Sequence, residues 1–230
     1  MTEQGGSRMK KELKNARIWS NNELDKIAEV FSGDIINVSG ELDRDKSGGV
    51  YKDYFVNADT YSISNYKPFN LEREIVLDLE KELQEQYYKR WDVVFNHTVL
   101  EHIYDIHTAF NNLCSMARKA VILVVPFAQE VHYKEGVYAD WWRPTPLAIK
   151  KMFEENGYAM LYYSHNNMEY TNVYLFCVGV REECVNEYKA IDNRPHDYYA
   201  GKWIQKYGSE WGDERINQKI LFLLRGLLTK

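Results

Sequence analysis

Cysteine, proline and basic charge are all scarce in this sequence, and each shortage narrows what the chain can be. Its 230 residues include 3 cysteines and 5 prolines. Cys114, Cys177 and Cys184 form neither a metal-ligand pair nor a disulfide framework, which fits a reducing compartment, so a cytoplasmic location is expected. Cys177 sits in an apolar run and reads as a small buried hydrophobe. Lys and Arg number 29 against 34 Asp and Glu, for a net charge of -5, so no broad basic face gripping nucleic acid is expected. Long hydrophobic runs are also missing, so no membrane span is expected. The opening MTEQGGSRMKKELK lacks the apolar core of a secretory signal, and residues 1–20 are expected to be flexible.

Aromatic residues are plentiful, with 18 Tyr and 6 Trp, which points to large amphipathic surfaces in a pocket or an interface. Hydrophobic residues at 45% and charged residues at 27% are ordinary for a folded domain and exclude global disorder.

Hydrophobic periodicity sets out the organisation. Residues 21–32 read as a helix, capped by Asn21 or Asn22 and stopped by Gly33. Strands are predicted over 34–40, 60–64, 74–79, 91–97 and 120–127; the last is apolar on both faces, as a central strand of a mostly parallel sheet must be. Helical spacing marks 106–118. It also marks 144–157, with Thr145 as cap, Pro146 at the first position and Gly157 as stop. Strands 158–165 and 172–181 follow with no helix between them and are predicted to pair antiparallel. The result is an α/β, doubly wound, mostly parallel sheet with a C-terminal antiparallel hairpin, spanning 21–181. Residues 182–230 read as a helical extension. Its segment HDYYAGKWIQKYGSEWG suits partner binding, self-association or a lid, and INQKILFLLRGLLTK is an amphipathic helix that docks on the parent domain or makes a homo-oligomer.

In such sheets ligands bind beyond the carboxyl ends of the strands, at the point where strand order reverses. The residues to watch are therefore Asn37, Ser39 and Gly40 after the first strand, Ser64 and Asn65 after the second, Asp78 and Leu79 after the third, and Asn96 and His97 after the fourth. The loop after the fifth, AQEVHYKEGVYADWWRP, adds Glu130, His132, Tyr133, Trp141, Trp142 and Arg143.

The stretch WDVVFNHTVLEHIYDIHTAFNNLCSMARKAVILVVPF, with D-V-V on the fourth strand and L-E-H beyond it, resembles the class I S-adenosylmethionine-dependent methyltransferases. Within them it is closest to the small-molecule, type 11-like group, and the resemblance spans about residues 33–181. It implies a Rossmann-like seven-stranded sheet and S-adenosyl-L-methionine as cofactor. The continuation to residue 158 is similar to a subset associated with sugar or surface-polysaccharide modification, which implies methylation of a small polar acceptor such as a sugar or sugar-phosphate hydroxyl. The family's D-x-G-x-G-x-G turn is degenerate here. Asn37 stands at the acid, and Ser39 and Glu41 stand at the first two glycines. Ser64 and Asn65 take the place of the ribose-binding acid, and Asp78 matches the acid that contacts adenine.

The resemblance makes His97 a cofactor-facing residue. His132, Glu130 and His102 become candidates for the base that removes the acceptor's proton, since imidazole ordinarily titrates near neutrality. Tyr133, Trp141, Trp142 and Arg143 become acceptor contacts, with Arg143 suited to an anion. Glu101 and His102 lack a clear third ligand, so no metal is expected. The competing expectation is a non-catalytic binding or scaffold protein that keeps the fold but holds cofactor weakly or not at all.

Overall fold

The computed structural model describes residues 16–45, 47–72, 74–136, 138–166, 173–195 and 198. The expectations placed on residues 1–15 and 201–230, including self-association through the terminal helix, lie outside them.

Seven strands form one sheet in the order β3-β2-β1-β4-β5-β9-β8. In chain order these are β1 (Ser32–Val38), β2 (Asn57–Asn65), β3 (Glu74–Val76), β4 (Trp91–His97), β5 (Ala117–Ala128), β8 (Tyr158–His165) and β9 (Val173–Arg181). A two-stranded ribbon, β6 (Tyr133–Lys134) with β7 (Tyr138–Ala139), stands on the loop after β5. The first five strands run parallel, and β9 is antiparallel to both β5 and β8. The predicted mostly parallel sheet with a terminal antiparallel pair is therefore present.

Three helices cover it. α1 runs over residues 16–27, α2 over Ile106–Met116 and α3 over Pro146–Glu155. α2 and α3 bury Phe110, Leu113, Ile149 and Phe153 on the sheet face formed by Val94, Val121, Leu123 and Leu175. α1 buries Leu24 and Ile27 on the other face, with Ile35, Phe95, Ile122 and Phe176. That face also takes Cys184, Tyr188 and Ile191 from the start of the C-terminal segment. There the structure has only short 3-10 turns, Glu182–Cys184 and Lys189–Ile191, where a helix was expected. Thr145 caps α3 by accepting the Ala148 N–H, and Pro146 opens it, where a missing N–H costs nothing.

Three boundaries differ from expectation. α1 already exists at residue 16, inside the stretch expected to be flexible. Gly33 does not stop a helix but lies within β1 at φ 87°; a Cβ there would come within 2.2 Å of Asp92 Oδ2. The Asp92 carboxylate fills that space because it accepts the Asp34 N–H at 2.8 Å and is clamped by Arg118 at 2.7 Å. The same guanidinium reaches Asp34 at 3.1 Å, tying β1, β4 and β5 together at the end of the sheet away from the tips. Third, strands β1 to β4 are joined without an α-helix. The link from β1 to β2 contains only the 3-10 turn Tyr51–Tyr54, and that from β3 to β4 only Glu85–Tyr87.

Candidate functional site

Beyond β1 the backbone turns through Ser39, Glu41 and Asp43 at φ 60°, 49° and 59°. This left-handed region is costly for residues bearing a Cβ. Counted from Asn37, these are the three glycine positions of a D-x-G-x-G-x-G turn, so the backbone keeps the glycine-rich shape without the glycines. Polar bonds from β2 hold it there. Ser64 Oγ accepts the Ser39 N–H at 3.3 Å, and the Ser64 carbonyl accepts that of Gly40 at 3.1 Å. Asn65, 2% exposed, clasps Glu41 from both sides. Its Oδ1 accepts the Glu41 N–H at 2.7 Å, and its Nδ2 donates to the Glu41 carbonyl at 3.1 Å and to Glu74 Oε1 at 2.7 Å.

Two aspartates organise the loop that follows. Asp43 accepts from Asn37 Nδ2 and the Tyr61 hydroxyl, each at 2.7 Å, and from the Lys52 N–H at 2.9 Å. Asp45 accepts the N–H groups of Ser47, Gly48 and Gly49 at 2.8 Å each, together with the Tyr54 hydroxyl. Burial pushes the Asp45 carboxyl up, but these donors outweigh it and hold the group below the usual carboxylate range.

At the reversal point between β1 and β4, Asn96 donates to the Val38 carbonyl at 3.0 Å, and its buried Oδ1 has no partner. His97 lies with Nε2 2.9 Å from Ser20 Oγ of α1, and its ring packs 5.4 Å from Tyr51. Asp78 remains partly exposed, accepting the Glu80 N–H at 3.0 Å. Leu79 does not line the tips. It is buried in the core, where Asn112 anchors its carbonyl at 2.8 Å.

Beside the tips of β4 and β5 a second group converges on Asp140, whose side chain is 1% exposed. His102 Nδ1 stands 2.8 Å from Asp140 Oδ1. His132 Nδ1 stands 3.2 Å from Oδ2, and the His132 N–H donates to the same oxygen at 2.8 Å. Arg143 Nη2 donates to it at 2.5 Å. Burial pushes Asp140 up, but Arg143 and the His132 N–H prevail and keep it an anion. Burial pulls the His102 imidazole below the ordinary histidine value against the attraction of Asp140, so it is neutral near pH 7. The neighbouring Glu101 is 3% exposed, and its Oε2 has no partner. Burial, reinforced by the Asp140 charge, pushes its carboxyl up to about 8.

The structure thus brings His102, His132 and Arg143 together and sets Glu130 apart. Glu130 is exposed and contributes only its carbonyl, to Arg143 at 3.3 Å. Arg143 also donates to the Trp142 carbonyl at 2.8 Å, and its buried Nε has no partner. Tyr133 stands in solvent on β6, and Trp141, 54% exposed, packs edge-on against Tyr104 at 5.3 Å. Trp142 donates to the Tyr104 carbonyl at 3.0 Å and lines a cleft of about 420 Å³ with His107, Thr145, Lys151 and Met152. Asp140 is the residue that strand-tip reasoning passes over, and Glu101 enters it only as a metal ligand. The available signal for Asp140 was its place between a loop histidine and Arg143.

The sheet order and the terminal antiparallel pair decide the fold. It is the fold of the class I S-adenosylmethionine-dependent methyltransferases. A Listeria monocytogenes protein assigned as an S-adenosylmethionine-dependent methyltransferase superposes with a TM-score of 0.52 at 10% identity, covering 71% of this chain and 98% of its own. One from Bacillus halodurans, assigned as a methyltransferase, superposes at 0.51 and 11% identity, covering 70% and 97%. No family model matches the sequence, and no curated protein matches it.

S-adenosylmethionine meets a mixed reception at the tips. The turn is left-handed at Ser39, Glu41 and Asp43, Asp78 keeps an uncommitted carboxylate oxygen, and Asn96 Oδ1 is an open buried acceptor. The residues expected at the ribose are engaged within the protein. A Cβ on Gly40 would lie 2.6 Å from Asn37 Nδ2, and Asn65 spends its amide on Glu41 and Glu74. Among the described residues no helix is long and apolar enough to cross a membrane, and no group of His, Cys, Asp or Glu is arranged to hold a metal.

Proposed function

We propose that the protein transfers a methyl group from S-adenosylmethionine to a small polar acceptor carrying a hydroxyl, a sugar being the candidate class. The reading rests on one observation: a methyltransferase sheet whose β4 and β5 tips carry a buried carboxylate with two imidazoles within 3.2 Å of it. The cofactor supplies an already activated methyl group, so the chain has only to align the acceptor and take its proton. His132 is the candidate base. Asp140 faces its Nδ1 at 3.2 Å, the Gln129 amide nitrogen lies 2.8 Å from Nδ1 and 3.4 Å from Nε2, and its side chain is 36% exposed. The exposed faces of Tyr104 and Trp141 offer a platform beside it. Asp78 and Asn96 are the cofactor contacts with free polar atoms.

A second reading has its own support. The turn's N–H groups at Ser39, Gly40, Glu41 and Asp43 all donate to the protein itself, as a non-catalytic domain of this fold would arrange. Calorimetric titration with S-adenosylhomocysteine separates the two. Micromolar binding is expected, and no binding at millimolar ligand leaves the scaffold reading standing. In the same titration, Asn65→Asp should bind about tenfold more tightly. The acid cannot donate to the Glu41 carbonyl and repels Glu74, so the clasp opens and a carboxylate becomes available to ribose. Unchanged or weaker binding would mean the nucleoside lies elsewhere. His132→Ala should cut turnover about a hundredfold or more with S-adenosylhomocysteine affinity unaltered, and an unaffected rate removes His132 as base.

A further inference from the structure

The polar atoms left unsatisfied near the tips of β4 and β5 are mostly acceptors. Asn96 is fully buried, and its amide orientation is fixed because Nδ2 donates to the Val38 carbonyl at 3.0 Å. Its Oδ1 is therefore a buried acceptor without a donor. Glu101 Oε2 is likewise buried without a partner. Its other oxygen lies 3.9 Å from His102 Nε2, and the residue's own backbone N–H donates to the carboxyl. A buried polar atom without a partner costs free energy until water or a ligand supplies one.

The charged and titratable groups facing Glu101 come from three directions. They are Arg17 of α1, Tyr174 of β9, and Asp140 and Arg143 of the loop after β5, with His102 beside it on its own turn. Among the described residues neither arginine makes an ion pair with it, and Arg143 is already bonded to Asp140, Trp142 and Glu130. Arg143 Nε is a buried donor without a partner, but the side-chain oxygens left without one, those of Asn96, Glu101, Gln129 and Asp140, outnumber it.

We propose that Glu101 receives a primary ammonium group of the bound ligand. The proposal rests on the methyl-transfer reading for where ligands sit, and narrows the acceptor to an amine-bearing polar molecule. The ammonium of the cofactor's amino-acid moiety is the other source of the same chemistry. Binding a cation against a protonated carboxyl drives it to ionise, so the proton leaves to solvent as the ammonium arrives.

The test is calorimetry at pH 7 in two buffers of different ionisation enthalpy, which counts protons released on binding. Glucosamine, glucose and glucose 6-phosphate serve as acceptor probes, with S-adenosylhomocysteine and 5′-methylthioadenosine as a nucleoside pair with and without the ammonium. The expected result is release of close to one proton with an ammonium-bearing probe and none with its neutral counterpart. Glu101→Gln should remove the release and weaken binding about tenfold while preserving shape. Should that variant fail to fold, the proton count on the wild-type protein still decides. Release with glucosamine alone assigns the group to the acceptor, and release with S-adenosylhomocysteine alone assigns it to the cofactor. Tighter binding of glucose 6-phosphate than of glucosamine, or ammonium binding without proton release, overturns the proposal. S-adenosylhomocysteine that fails to bind while glucosamine releases a proton sinks methyl transfer and leaves the ammonium site intact.

Discussion

Replacing Asp140 by Asn should lower turnover, measured as S-adenosylhomocysteine formed, by about 100- to 1000-fold, with affinity for S-adenosylhomocysteine within twofold of the wild-type value. The substitution keeps shape and an oxygen for the His132 N–H, but removes the charge that faces His102 at 2.8 Å and His132 at 3.2 Å. Without that anion, imidazolium formed by proton abstraction loses its stabilisation, and nothing fixes which ring nitrogen faces the acceptor. The Asp140 charge raises the His102 pKa against burial, so the Asn variant should titrate lower still at His102, a shift visible in imidazole proton NMR. Arg143 loses its buried counter-charge as well, so some loss of stability accompanies the loss of rate. The NMR shift separates the roles. A variant that is merely less stable leaves His102 titrating as before, whereas loss of the facing anion moves it. A folded Asp140→Asn protein with full turnover would remove the two-imidazole cluster from the mechanism.

How far the sequence could be read depended on how far away each residue's partners lie. WDVVFNH and YAMLYYSH are legible to the residue as β4 and β8, since both alternate or run apolar against buried neighbours. β3 is shorter than the apolar run EIVLDL predicts. It is an edge strand, and Leu77, Leu79 and Leu83 leave the sheet to pack in the core. The turn after β1 is the instructive failure. Replacing glycines by Ser39 and Glu41 reads as loss of the turn, yet the left-handed backbone persists because Ser64 and Asn65, 25 and 24 positions away, hold its N–H groups. Those two residues, expected as ribose contacts, bond to the turn itself. Asp140 was hidden for the opposite reason. Its neighbours in sequence are in view, but its role depends on His102, brought across from the turn after β4.

Gly179→Ala should cost about 3 kcal/mol of stability and lower the melting temperature by roughly 6–12 °C for a chain of this size. Gly179 lies in β9, the antiparallel strand inserted between β5 and β8. A Cβ there would fall 2.2 Å from Cε1 of Phe153, with Cδ1 and Cζ also inside 3 Å. That ring is the fully buried anchor of α3, packed edge-on against Phe110 at 4.9 Å and tilted against Tyr158 at 6.1 Å. It is therefore confined on several sides, and a core at crystal-like density has little slack to absorb a methyl group. Relief requires α3 to lift from the sheet, and α3 begins at the Thr145 cap only two residues after Arg143. The strain should therefore reach the Asp140 cluster. Phe153→Leu in the same chain removes the clashing ring atoms, so the double variant should be more stable than the sum of the two single losses predicts. Thermal denaturation of the four proteins in that cycle gives the coupling directly. Additive losses would show that the glycine is required for the strand's backbone and not for the ring that lies on it.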